Sequence, residues 1–296
     1  MEVQQLKKHA HYYYTHPDFF NNTTDLVHAF IMKDYEIGMH EQEFYEINII
    51  TKGGGTHYIG DSRVDATVGD VFIVPPHIEH GYVGGDGFDV FHVIMSDAFM
   101  IKYIADLQQL PFFHTLFGAE PVMRGKTTKP LHLTLLKEEL DTSIKVLEEI
   151  AKYTNYSDPV ECMIRSNYAM VAIGLLCSAY TLVRDYSNDT SFEDKALMDS
   201  ISYMHERYFE KITIDDLLRI AHLSRSSYIK KFKEICNTTP SAYLNKIRIE
   251  SAASMLHNTT LSISDIADKT GFYDSSHFTK AFVAFYGVTP VAYRNK

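Results

Sequence analysis

The sequence predicts an α+β multidomain fold: a small N-terminal β-barrel with flanking helices, then an all-α C-terminal domain carrying two helix-turn-helix motifs. Three observations carry the prediction. Short β-rich runs between residues 26 and 96 are divided by glycine and proline turns. Apolar residues then change to helical spacing. Finally, the stretch from Ile214 to Arg294 states one pattern twice. A change of apolar period separates strands from helices, and internal self-similarity marks a repeated structural unit.

Residues 1–25 are polar and aromatic, with Tyr12-Tyr13-Tyr14 and Asn21-Asn22-Thr23-Thr24, and form an N-terminal arm in this reading. From 26 to 96 the strand candidates are Val27–Met32, Tyr45–Thr51, Thr56–Ile59, Val71–Val74 and Val90–Met95. Between them lie Gly53-Gly54-Gly55, Gly60-Asp61, Gly69-Asp70, Pro75-Pro76 and Gly84-Gly85. Many short strands with regular turn signals argue for a barrel or jelly roll. Within this region His40-x-Gln42-x-x-x-Glu46 and Gly69-Asp70-x-x-x-x-Pro75-x-x-x-x-His80 resemble the two sequence motifs of the cupin barrel.

That resemblance implies that His40, Gln42, Glu46 and His80 line one cavity. Metal-binding cupins set two histidines, a glutamate and a later histidine around an ion; here Gln42 stands at the second position. An amide oxygen is a poor ligand for metals that favour imidazole. His40, Glu46 and His80, with His77 as a substitute, keep a metal open, and any one of these histidines can instead be a satisfied core residue. The assigned reading has no metal, no other cofactor and no catalytic residue. It is a polar pocket for a small hydroxylated effector, a sugar, with Tyr58 and Tyr82 adding flat faces and hydroxyls.

Residues 97–184 read as the helical part of the sensor. A short helix runs from Asp97 to Leu110, and an irregular stretch covers Pro111 to Pro130. Leu135, Leu136, Leu140, Ile144, Leu147 and Ile150 then recur at helical spacing. Asp158-Pro159 opens a further helix reaching about Arg184, since Asp at the N-cap and Pro at the first turn are start signals. The apolar run Tyr168–Val183 is short for a membrane span and reads as a buried helix. Residues 185–194, with Ser187-Asn188-Asp189-Thr190-Ser191, are a polar linker. Cys162, Cys177 and Cys236 form no CxxC pair, and no apolar leader stands at the start, so a reducing cytoplasm is expected.

Residues 195–296 hold the repeat. Copy one runs Ser224-Arg-Ser-Ser-Tyr-Ile-Lys-Lys-Phe232 and then Thr239-Pro-Ser-Ala-Tyr243; copy two runs Asp274-Ser-Ser-His-Phe-Thr-Lys-Ala-Phe282 and then Thr289-Pro-Val-Ala-Tyr293. Ser224 and Asp274 suit N-caps, Gly271 and Asn237 suit left-handed positions, and the paired aromatics share a buried face. Copy two has one extra turn residue. The outward set is Arg225, Ser226, Ile229 and Lys230, with Lys231 beside it, then Ser275, Ser276, His277 and Lys280. Small polar and cationic groups at the start of a helix are what a major groove accepts. With Gly271-Phe272, Phe278, Lys280, Phe282 and Gly287-Val-Thr-Pro-Val-Ala-Tyr-Arg294, the region resembles the DNA-binding domain of AraC-type transcriptional regulators. The resemblance implies double-stranded DNA as partner, a homodimer and contact with RNA polymerase; the helix around Leu136–Ile150 either forms the dimer interface or simply packs on the barrel, and the arm either folds over the effector or is a loosely ordered terminus.

Charge agrees with this division. The 296 residues carry net −10, yet residues 195–296 hold 14 Lys/Arg against 10 Asp/Glu, leaving 14 basic and 28 acidic residues before them. A mildly basic tail on an acidic body confines phosphate attraction to the tail. The expectation is a cytoplasmic, sugar-responsive regulator of carbohydrate-use genes. A metal-dependent cupin enzyme fused to a DNA-binding tail, and a regulator controlled by a protein partner, are its rivals.

Overall fold

A computed structural model describes residues 12–15, 19–20, 25–60, 62–127, 131–186 and 191–295. Most of the expected arm and the centre of the expected linker, residues 187–190, lie outside the described residues. The chain divides into two compact units, Met1–Thr190 and Ser191–Lys296.

The first unit is a sandwich of two five-stranded sheets. Its strands are β1 (Tyr12–Tyr14), β2 (Val27–Met32), β3 (Ile37–Gln42), β4 (Tyr45–Lys52), β5 (Gly54–Ile59), β6 (Ser62–Thr67), β7 (Asp70–Val74), β8 (His80–Gly84), β9 (Asp89–Met95) and β10 (Leu133–Thr134). One sheet has the order β1-β3-β8-β5-β6 and the other β10-β7-β4-β9-β2. Every described pairing is antiparallel except β1 on β3. Period-2 alternation explains what each face holds. On β4 the odd residues Ile47 and Ile49 turn outward into a large apolar core. Its even residues Glu46, Asn48 and Ile50 turn inward, where Ile50 meets Phe72, Val90 and Phe88 and the facing sheet's Val64, Ala66 and Tyr82.

Helices cover the outer face. Helix α1 (Asp97–Leu107) starts where the Ser96 hydroxyl accepts from Phe99 N at 3.2 Å. Residues Pro111–Pro130, expected to be irregular, instead contain a π-helical turn (Thr115–Ala119) leading into α2 (Glu120–Met123). Burial explains the difference, because all five residues of the π turn lie in the core, where the backbone must satisfy its own hydrogen bonds. Helix α3 (Lys137–Lys152) and helix α4 (Pro159–Tyr186) follow.

Most of the apolar stripe expected to pair two sensors packs within the protomer, Leu136 being its exposed member. Leu147 and Ile150 are core residues, and Leu140 and Ile144 pack beside them. Helix α4 is long and apolar enough, by length and composition, to cross a membrane. Half of that stretch is core, however, and its buried Arg165 donates to Val27 O at 3.0 Å and pairs with Asp25 at 3.3 Å.

The second unit contains α5 (Phe192–Arg207), α6 (Ile214–Ala221), α7 (Arg225–Cys236), α8 (Pro240–Asn258), α9 (Ile263–Lys269), α10 (Ser275–Tyr286) and α11 (Pro290–Arg294). Both halves of the repeat use the same local chemistry. Capping boxes open α6 at Thr213/Asp216 and α9 at Ser262/Asp265. Thr239 and Thr289 cap helices with proline in the first turn. Gly271 has φ +77°, and a Cβ there would lie 2.7 Å from Tyr208 O, so the turn needs glycine on both counts.

Candidate functional site

In the second unit, α7 and α10 present the residues expected to meet DNA. Ser224 Oγ accepts from Ser227 N at 3.2 Å and Asp274 Oδ1 accepts from His277 N at 2.7 Å, fixing each helix start. Tyr228, Phe232, Phe278 and Phe282 are fully buried. The opposite faces carry exposed Arg225, Ser226 and Lys230, and exposed Ser276, His277 and Lys280, with Ile229 and Ser275 half-buried among them. Lys231 is the exception to the expected outward set. It reaches the buried carboxylate of Asp194 at 2.8 Å, so its charge is used within the unit. Arg248 and Arg294 are likewise spent, donating to Tyr208 and Glu210 carbonyls and to Leu256 and Leu261 carbonyls respectively. Helix α8, of 19 residues, joins the two halves.

In the first unit the interior of the sandwich is polar at one end. His40 and His80 face each other across β3 and β8, with ring centroids 4.2 Å apart. Each anchors Nδ1 on a backbone carbonyl, His40 on Gly38 O at 3.0 Å and His80 on Ile78 O at 3.1 Å. Across the interior, Glu46 on β4 meets His80 Nε2 at 3.2 Å and His92 Nδ1 at 2.7 Å. Burial alone would raise the Glu46 carboxyl, but hydrogen bonds from His80 and His92 outweigh it and hold the group well below its ordinary range. Burial, then the neighbouring His80, lowers His40 to about 4. Tyr82 is pushed up, first by burial and then by Glu46; its hydroxyl accepts from Asn48 Nδ2 at 3.1 Å and its ring stacks on His57 at 4.4 Å.

Gln42 shares the parity of His40 on β3 and is buried, with neither amide atom partnered among the described residues. The structure therefore brings His40, Glu46, His80 and Tyr82 together in the interior, with Gln42 buried on the same face of β3 as His40. Tyr58 does not belong with them. It pairs with Gly81 on the opposite face from His57, packing with Met39 and Val83. His77 lies on the turn before β8. Sequence reasoning missed His57, Asn48 and His92. Period-2 alternation from Glu46 points to Asn48, and the cross-strand register Asn48↔His92 then points to His92. His57 needed the face of β5, which a single strand's sequence does not reveal.

Among the described residues, His40, Glu46 and His80 each bring one ligand atom to within 4.8 Å of the others and are the group that could hold a metal ion. The fit is poor. Gln42 stands where the cupin motif has its second histidine, and both Glu46 oxygens are already engaged by His80 and His92. These residues form a hydrogen-bond network, and no step below runs through a metal.

Comparison with known proteins agrees with both halves. Residues 27–144 match the AraC-like ligand binding domain family, and residues 217–296 match a helix-turn-helix domain family. The chain is 26% identical over 259 residues to the HTH-type transcriptional activator RhaR of Mannheimia succiniciproducens, covering 87% of each chain. It is 42% identical over 84 residues to the RCS-specific HTH-type transcriptional activator RclR of Escherichia coli, covering 28% of this chain and 30% of that one. It is 37% identical over 119 residues to the raffinose operon transcriptional regulatory protein RafR of Pediococcus pentosaceus, covering 39% and 43%. These relatives are named as regulators of transcription. A polar-cored sensor ahead of a doubled helix-turn-helix, matched in both parts, makes this chain a ligand-responsive transcriptional regulator of the AraC type.

Proposed function

We propose that the sensor binds a sugar or closely related polyhydroxylated molecule inside the sandwich, and that this controls occupancy of DNA at carbohydrate-use genes. One observation carries the reading. Beside the Glu46 network, Gln42 Nε2 and Oε1, Asn48 Oδ1 and His92 Nε2 are buried without a partner among the described residues. Buried polar groups are almost always hydrogen-bonded, so a mixed set of unmatched donors and acceptors fits a ligand rich in hydroxyls. The similarity to a regulator named for a raffinose operon supports the same class.

Strand β1 lies alongside β3, with Tyr14 against His40 at 5.4 Å, so an effector near His40 acts on the arm directly. Binding shifts DNA occupancy only by its differential affinity for two arrangements of the arm or dimer. Arg225, Ser226, Ile229, Lys230, Ser275, Ser276, His277 and Lys280 are proposed to face DNA, and the protein to act in the cytoplasm, where RNA polymerase is a further partner. The homodimer interface is reassigned to α4. Its exposed face carries Val160, Met163 and Val171, and Gly174, where an added Cβ meets nothing within 4 Å.

A thermal-shift screen of the purified protein against mono- and oligosaccharides tests the effector class. A ligand that binds only the folded state raises Tm in proportion to its saturation. Stabilisation by one sugar and its epimers in graded order is expected. A flat response across the panel at millimolar concentration would remove sugars from consideration.

A further inference from the structure

We propose that the sensor has a second subsite, at the Phe72 end of its interior, that binds an anionic oxygen group, so that the effector is an anionic sugar, phosphorylated or carboxylated. This rests on the sugar reading above and narrows it. Three nitrogen-bearing side chains surround the Phe72 ring. The His57 and His132 ring centroids lie 4.6 Å and 4.8 Å from it, and the Arg124 guanidinium sits over it at 5.2 Å. Among the described residues, each leaves a buried nitrogen without a hydrogen-bond partner: both ring nitrogens of His57, Nη1 of Arg124 and Nδ1 of His132.

The oxygens at this end are already matched. Glu120 is held by Arg124 Nε and Nη2, and the same Nη2 donates to Ile73 O at 2.7 Å. Asp70 receives Thr134 Oγ1 at 2.7 Å, Thr67 N at 2.8 Å and His132 Nε2 at 3.3 Å. The unmatched atoms here are all nitrogens, and the side chains with a proton left to give are Arg124, through Nη1, and His57, because His132 already turns Nε2 to Asp70. A guanidinium only donates, and a neutral imidazole donates through one nitrogen. A carboxylate or phosphate offers both of them acceptors, and guanidinium recognition of such groups is among the stronger polar contacts. After burial itself, Arg124, His80 and His132 are what hold the His57 imidazole well below its ordinary range. The His57 and His80 rings are 5.9 Å apart, so one molecule of monosaccharide size touches both ends.

The test is calorimetric titration of the full-length protein with matched sets: glucose, glucuronate and glucose 6-phosphate, the galactose counterparts, and inorganic phosphate alone. Wild type is compared with His57→Phe, which keeps a ring to stack on Tyr82 and removes both nitrogens. An anionic sugar is expected to bind wild type at least about tenfold tighter than its neutral parent, the change that one charge-assisted hydrogen bond gives. His57→Phe should abolish that preference, bringing the anionic sugar's affinity down to that of its neutral parent. If that variant does not fold, Arg124→Lys, which keeps the charge toward Glu120 but has no Nη1, gives the same reading. Neutral sugars binding as tightly as anionic ones would overturn the anion subsite and leave the sugar reading standing. His57-dependent binding of phosphate with no sugar bound would do the reverse. No binding by any member overturns both.

Discussion

Replacing Glu46 by glutamine probes the centre of the sensor. The carboxylate is buried and engages two imidazoles, at 2.7 Å to His92 and 3.2 Å to His80. Glutamine keeps the shape but cannot ionise, and it turns an NH2 toward one of the two rings. Two hydrogen bonds to a charged group are worth about 1.5–3 kcal/mol each. The mutant recovers part of that, because it no longer buries a charge, which costs several kcal/mol. A net loss of about 2–4 kcal/mol at pH 7 is expected. The pH dependence follows from the direction of the shift. A carboxyl held below its ordinary value of 4.5 contributes stability that is whole above about pH 4.5 and drains away as the pH falls toward the folded value. Calorimetric melting of both proteins at pH 7 and at pH 4 should therefore show a gap that narrows in acid. A gap absent at pH 7, or unchanged by acid, would refute the idea that Glu46 holds the imidazoles as a carboxylate. The same substitution should weaken effector binding by about 1.5–3 kcal/mol.

Four further outcomes can be checked separately. Lys280→Ala should cost about 1–3 kcal/mol on the cognate operator and relax preference at one base position; equal losses on cognate and random DNA in gel shifts would assign Lys280 to phosphate instead. Gly271→Ala should destabilise the second unit by about 1–3 kcal/mol and Gly287→Ala by less. Both glycines have positive φ, but only Gly271 meets a backbone oxygen at 2.7 Å, so equal melting shifts would show that the crowding is not felt. Met163→Lys with Val171→Lys should shift the protein from dimer to monomer in sedimentation without changing its circular dichroism, since both side chains are 50% or more exposed. Leu147→Lys should unfold the sensor, because Leu147 is 1% exposed; a folded Leu147→Lys monomer would restore α3 as the interface.

Much of this architecture was legible because it rests on local chemistry. Ser224 and Asp274 are caps whose place in the repeat marks helix starts, and both accept the expected backbone hydrogen bond; Thr239 and Thr289, found only as part of the repeat, cap their helices in the same way. Gly271 announced its left-handed turn, whereas His222, which takes φ +50° at the matching place in the first copy, did not. The pocket was half legible. Motif spacing brought out His40, Gln42, Glu46 and His80, but Tyr58 and His57 are adjacent, and only the pairing of β5 with β8 decides which one faces inward. Arg124 was out of reach. It lies in a stretch whose pattern has neither period, and its role comes from a contact with Ile73, 51 residues earlier in the chain. The helix around Leu147 was found, but an apolar stripe does not state whether its cover belongs to the same chain.

Strand β1 has a consequence for handling the protein as well as for sensing. It is three residues long, joins the sheet in parallel register, and covers the side of β3 away from β8. So short a parallel pair is held by few hydrogen bonds and opens more readily than the strands beneath it. Once it lifts, β3 is an uncovered edge whose free N–H and C=O groups can template a strand from any neighbour. A chain trimmed past Tyr14 would thus gain an adhesive border. Its precipitation during purification would be a property of that border, arising with the rest of the fold intact.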